Sequence, residues 1–240
     1  MSTDRILITR TEPGASKTAN LATQRGYSPV VSPLARVEML HADLSLDAID
    51  AVALTSPNGA RAFAHLTDER RLPVLAVGGA TAEAAREAGF TEITDADSDA
   101  AGLAQLISDR MMPGTRILHA RGEIVARDLS GLLAGHGILV LPLIVYRTHA
   151  VSSFTEAARA ALQQGPVIAT VHSPGGANRL VAALEALGGI PAGLFAAAIS
   201  PAAAEPLRAA GIAPVEIADA PTDAGLLDAA DRLGGEPEGQ

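Results

Sequence analysis

Short runs of Val, Ile, Leu and Ala alternate along the chain with Ala-rich stretches whose apolar residues recur at helical spacing. The apolar runs predict strands at Arg5–Thr9, Ser28–Val31, Ala51–Thr55, Val74–Val77, Glu92–Thr94, Arg116–His119, Ile138–Pro142, Val167–Val171, Leu194–Ile199 and Pro214–Ile217. Between them the pattern predicts helices over Gly14–Arg25, Pro57–His65, Ala80–Ala88, Ala100–Arg110, Glu123–Gly135, Ala177–Leu187 and Pro201–Ala210. Gly26, Gly89, Gly188 and Gly211 each follow an Ala- or Leu-rich run, where a helix ends in a left-handed residue. Short strands alternating with longer helices mark βαβ units and parallel sheets.

The pattern also repeats. Ile6-Leu7-Ile8-Thr9-Arg10 returns as Ile117-Leu118-His119-Ala120-Arg121, and Gly26 returns as Gly137. Ser56-Pro57-Asn58-Gly59-Ala60 matches Ser173-Pro174-Gly175-Gly176-Ala177, and Ala76–Gly89 matches Ala198–Gly211. The matches keep their order, so the chain reads as two copies of one α/β unit. Ser32-Pro33-Leu34 and Leu141-Pro142-Leu143 each lead into an extended stretch, because Pro biases the preceding residue against helix. Two crossings imply a domain made of both chain ends, residues 1–31 with 151–240, and a second made of residues 42–141. Residues 32–41 and 142–150 would be linker strands.

Composition narrows the chemistry. With 240 residues, 48% hydrophobic and 19% charged, the chain is long and apolar enough for two folded domains and is not disordered. The absence of Cys excludes disulfides, a thiolate nucleophile and Cys-ligated metal centres. A net charge of −9 and only 2% aromatic residues argue against nucleic acid as a partner. No apolar run reaches the ~20 residues of a membrane helix, and Met1–Arg10 carries no secretion signal. The expectation is a cytoplasmic protein without membrane or nucleic-acid partners, acting on a small molecule.

Candidate chemistry gathers where strands meet helices. Ser56-Pro57, Ser173-Pro174 and Ser200-Pro201 each follow a strand. Ser caps the helix and Pro at its first position loses no hydrogen bond, so the amides that follow form an anion site at the positive helix end. Asn58, Gly59, Gly175, Gly176, Ala202 and Ala203 would present those amides, and Gly78 with Thr81 forms a fourth such turn. Arg10 and Arg121, at matching strand ends, would meet carboxylates. Six His residues show no metal-ligand spacing, and neither a dinucleotide, a P-loop nor a nucleophile-elbow motif occurs. His172 precedes a Ser-Pro helix start and could reach a cleft, but a strand-end His facing solvent is the favoured reading. Tyr146, one of two tyrosines, lies in the second linker.

The ordered segments Ile6–Gly14, Ala53–Phe63, Val74–Phe90, Leu118–Gly122, Val145–Thr148, His172–Leu180 and Ala197–Gly211 resemble the uroporphyrinogen-III synthases, as does the terminal Ala218–Ala229. The resemblance implies two flavodoxin-like parallel α/β domains joined by a two-stranded linker, with the active site in the cleft. It further implies a cofactor-free, metal-free lyase, here taken as a monomer. Its substrate would be the linear tetrapyrrole polycarboxylate hydroxymethylbilane, closed with ring D inverted in haem biosynthesis. Tyr146 corresponds to the family's linker tyrosine, placed near the leaving hydroxyl. One departure stands out: the family often carries Ser or Thr where this chain has Ala202 and Ala203, so backbone amides alone remain there. Two other classes stay open. A two-domain small-anion binding or sensor protein shares the architecture, and so does an FMN-binding flavodoxin, which the scarcity of aromatic residues disfavours.

Overall fold

In the computed structural model, which describes residues 3–125 and 127–234, the chain opens with β1 (Arg5–Ile8), α1 (Gly14–Gln24), β2 (Ser28–Val31) and β3 (Ala35–Met39). It continues through β4 (Ala51–Leu54), α2 (Pro57–Leu66), β5 (Val74–Ala76), α3 (Gly79–Glu87), β6 (Ile93–Asp95), α4 (Ala100–Arg110) and β7 (Arg116–Gly122). Then follow α5 (Leu129–Leu132), β8 (Leu139–Ala150), α6 (Glu156–Gln163), β9 (Val167–Val171) and α7 (Pro174–Leu187). The chain closes with β10 (Leu194–Ala198), α8 (Pro201–Ala209), β11 (Val215–Ile217) and α9 (Asp223–Gly234).

Two sheets form, in the orders β11-β10-β9-β1-β2 and β3-β8-β7-β4-β5-β6. The first is parallel throughout, and so is the second from β8 to β6. The first follows the 2-1-3-4-5 order of flavodoxin-like folds, and the second, leaving out the added β3, is a circular permutation of it. In the first sheet β1 and β2 come before β9, β10 and β11. In the second, the equivalent β7 and β8 come after β4, β5 and β6. The repeated segments therefore occupy equivalent strands, while the chain enters the second copy at a different point.

The chain divides into two compact units, one of residues 1–36 with 149–240 and one of residues 37–148. The expected linker residues are distributed between them. Leu34 is buried in the first core beside Phe154, and Ser32 Oγ accepts the Thr155 amide. Val145 and Tyr146 pack in the second core. Residues 1–2 and 235–240 of the expected first domain lie outside the described residues.

Each sheet is covered on both faces, which explains runs that are apolar throughout rather than alternating. Successive residues of β1 enter opposite cores: Ile6 and Ile8 one, Leu7 the other. In β4, Val52 and Leu54 face one layer and Ala51 and Ala53 the other. Small Ala side chains let the helices settle close to the strands. Helix α7 ends as its sequence implies, with Gly188 left-handed at φ 111°.

Two elements differ from expectation. The helix expected over Glu123–Gly135 shrinks to Leu129–Leu132, capped by Asp128; Ala126 lies outside the described residues. Glu123 instead lies just past the end of β7, its amide donating to Tyr146 O. The strand expected to stop at Pro142 runs on to Ala150. Helix α6 escaped the sequence reading.

Candidate active site

In sheets of this order, ligands bind beyond the strand carboxyl ends where the order reverses. In the 37–148 unit that point lies between β4 and β7. Ser56, directly after β4, is extended at φ −157° and caps α2, its Oγ accepting the Gly59 amide at 3.0 Å. The same Oγ lies 2.9 Å from the Tyr146 phenol oxygen. The Tyr146 ring lies against Gly122 at the end of β7, where a Cβ would come within 2.7 Å of Cζ. Gly122, Glu123, Ile124, Tyr146 and Thr148 line a small cavity. Its rim is braced by a forked ion pair from Arg147 Nε and Nη2 to Glu123, at 2.9 and 2.8 Å.

His119 of β7 bonds Thr55 Oγ1 through Nε2 at 3.2 Å and is 2% exposed. Burial, reinforced by the Arg121 charge, pushes its pKa down to about 4 against a weaker pull from Asp128, so the imidazole is neutral near pH 7. The Arg121 guanidinium donates to the Gly122 and Glu123 carbonyls at 3.1 and 3.3 Å.

The corresponding point of the other unit lies between β1 and β9, and a polar cluster fills it. Asp223, in the first turn of α9, receives on Oδ1 the Arg10 guanidinium at 2.8 Å, His172 Nε2 at 2.8 Å and the Thr18 hydroxyl at 3.2 Å. Gly14 makes room for Arg10, since a Cβ there would lie 2.5 Å from Nε. Burial raises the Asp223 pKa, but the His172 hydrogen bond and the Arg10 charge outweigh it and hold the carboxyl below its ordinary range. His172 is buried rather than facing solvent, which lowers its pKa. A carboxylate only accepts, so Nε2 carries the proton and Nδ1 is a bare acceptor, without a partner among the described residues. Sequence reasoning found only single members of this cluster, because they are far apart along the chain.

The three Ser-Pro starts share one geometry. Ser56, Ser173 and Ser200 accept the amides of Gly59, Gly176 and Ala203 at 3.0, 3.0 and 3.3 Å. Pro57, Pro174 and Pro201 occupy the first helical positions. Those third-position amides are spent on the caps, which corrects the expectation that Gly59, Gly176 and Ala203 offer them to a ligand. The second-position amides of Asn58, Gly175 and Ala202 have no hydrogen-bond acceptor among the described residues. Gly59 has a packing reason as well, since a Cβ there would lie 2.9 Å from Ala120 O. Thr81 is 3% exposed, in the first turn of α3. Gly78 caps α3 in extended conformation without a side-chain bond.

The family model described as Uroporphyrinogen-III synthase HemD matches residues 16–228. Among solved structures, the uroporphyrinogen-III synthetase of Helicobacter pylori is 19% identical, with 95% of this chain and 99% of that one covered at a TM-score of 0.66. A mutant uroporphyrinogen III synthase of Thermus thermophilus is 20% identical, with 95% and 97% covered at a TM-score of 0.52. At such identities the two structures speak for the fold. No curated protein matches the chain at a significant level.

Proposed function

The chain belongs to the uroporphyrinogen-III synthase family, and from that membership we propose how its own residues perform the reaction. The protein closes the linear tetrapyrrole hydroxymethylbilane into uroporphyrinogen III, with loss of water and inversion of ring D. We propose that it does so as a lyase in which Tyr146 donates a proton to the departing hydroxyl. The observation that carries this role is the 2.9 Å contact between Tyr146 and the serine capping α2. Ser56 Oγ accepts the Gly59 amide, and either hydroxyl of the Ser56–Tyr146 pair can donate to the other. In the proposed acid role Ser56 donates to the phenol oxygen, which leaves the Tyr146 O–H to point onward.

When that proton moves to the leaving oxygen, charge grows on the phenol oxygen. The Ser56 hydroxyl and the positive end of α2 meet it. The pyrrole supplies the electron pair that expels water, giving an electrophilic azafulvene. The azafulvene carbon then bonds to the ring D carbon that already holds the bridge to ring C. That bridge bond breaks and re-forms at the free α carbon of ring D, which inverts the ring, and the proton lost there restores the phenol. Substrate carboxylates are proposed to dock on the unused amides of Asn58, Gly175 and Ala202. Holding the two chain ends together supplies much of the acceleration.

The test is to supply hydroxymethylbilane and resolve the product isomers, since spontaneous closure gives isomer I. Tyr146→Phe keeps the ring and removes the acid, so kcat should fall by about 10²-fold or more with KM nearly unchanged. In Ser56→Ala, where the phenol loses its donor, kcat should fall by about tenfold. Wild-type turnover in Tyr146→Phe would sink the acid role.

A further inference from the structure

The partly buried arginines other than Arg179 have partners: Arg10 rests on Asp223, Arg25 on Asp228 and Asp231, and Arg147 on Glu123, while Arg5, Arg70 and Arg121 donate to backbone carbonyls. Arg179 does not. Half-buried on α7, it has no ion pair and no hydrogen bond among the described residues. Its side chain runs back one turn, as helix geometry directs, and lies over the start of its own helix, with Nη1 3.4 Å from where a Gly175 Cβ would stand.

That is a poor resting place for a cation. The helix start is itself positive, and burial without a counter-charge lowers the guanidinium pKa from its ordinary value. The fold does not require it either. Counting from the Ser-Pro cap, the same helical position is Ala62 in α2 and Pro206 in α8. One residue before the cap of α7, nine-tenths-buried His172 also has an unpartnered Nδ1. Two polar groups at this one helix start thus lack the partners that the fold supplies elsewhere.

We propose that Arg179 is a substrate-binding residue that, with the unused Gly175 amide, takes a carboxylate of the tetrapyrrole. The planar fork of a guanidinium matches a carboxylate in two bonds, and the bound anion satisfies guanidinium, amide and helix end together. The absence of a side chain at Gly175 keeps that approach open. The assignment rests on the family reading for the identity of its ligand, although the unpaired cation stands without it.

The experiment compares wild type, Arg179→Gln and Arg179→Lys in hydroxymethylbilane kinetics, thermal melting and titration with uroporphyrin, a fluorescent polycarboxylate that needs no turnover. Arg179→Gln is expected to raise KM and weaken uroporphyrin binding about 10- to 100-fold, with kcat little changed. Its Tm should hold or rise, because an unsatisfied charge has been removed, and Arg179→Lys should recover part of the affinity. Wild-type KM and uroporphyrin affinity in Arg179→Gln, with isomer III still formed, would overturn the assignment alone. A lowered Tm with unchanged affinity would equally overturn it, by making Arg179 structural. If the wild type yields only isomer I, the reaction reading fails, and the uroporphyrin titration still decides whether Arg179 holds a polycarboxylate.

Discussion

The two tyrosines differ in what their phenols touch. Tyr27 is 8% exposed and bonds Asp231 at 2.6 Å; burial and that carboxylate both push its pKa up. It serves packing. Tyr146 meets a serine hydroxyl beside a helix start, where a phenol can pass its proton on. His119 carries a separate consequence. Its pKa of about 4 lies below the ~6.5 of an unfolded histidine, so between those values the unfolded chain binds the extra proton. Stability should therefore fall as pH drops from about 6.5 to about 4, by ~1.4 kcal/mol per unit and ~3 kcal/mol in all. The repeat places Ile8 at the equivalent position, so His119→Ile should flatten that part of the curve. Urea melts at pH 7, 5.5 and 4.5 would show it, and identical pH slopes in both proteins would refute the assignment.

At the element scale, one side chain ends two helices. Arg70 donates through Nε to Ala88 O and through Nη2 to Ala64 O, each at 2.9 Å, and through Nη1 to Thr67 O. It thereby serves carbonyls at the ends of both α2 and α3, where a cation also suits the helix dipole. Its guanidinium lies 5.0 Å from the centre of the Phe90 ring, which stacks on Phe63. Arg70→Ala should cost about 2–3 kcal/mol, read as a lower urea midpoint at unchanged slope. A loss under about 0.5 kcal/mol would mean that water replaces the cap at no cost. The two misread elements have a common physical origin. Glu123 has good helix propensity but is held against β8, just past the end of β7, by its amide bond to Tyr146 O and its ion pair with Arg147. Pro142 halts a helix but is tolerated in β8, opposite His119. Local preference lost to pairing partners.

At the scale of the whole molecule, the rotated chain order has a practical result. The 37–148 unit is one continuous segment with its own two apolar layers, whereas the other unit needs both chain ends. Residues 37–148 expressed alone should fold cooperatively, with a single urea transition and dispersed amide resonances. A molten fragment would mean that this core depends on the rest of the chain. The charge balance works at this scale too. A protein of net charge −9 that takes a polycarboxylate must concentrate positive potential locally. On the proposed reading, helix starts do so without basic residues, and an unpaired arginine such as Arg179 adds to it.

What the sequence determined by itself is what consecutive residues encode. Apolar periodicity set the strands and most helices, Ser-Pro and Gly set where helices begin and end, and the repeated segments announced two related sheets. What only the tertiary structure decided is which distant residues meet. Ser56 and Tyr146 are 90 residues apart, Arg10 and Asp223 are 213 apart, and His172 joins Asp223 across 51. Tyr146 and Ser56 could each be singled out in the sequence, but not that the two meet. The same holds for the fate of Arg10, which is spent on Asp223, and for Gly59, which yields to the Ala120 carbonyl. Such pairings follow from strand order and from the closeness of helix to sheet, quantities that no local stretch of chain contains.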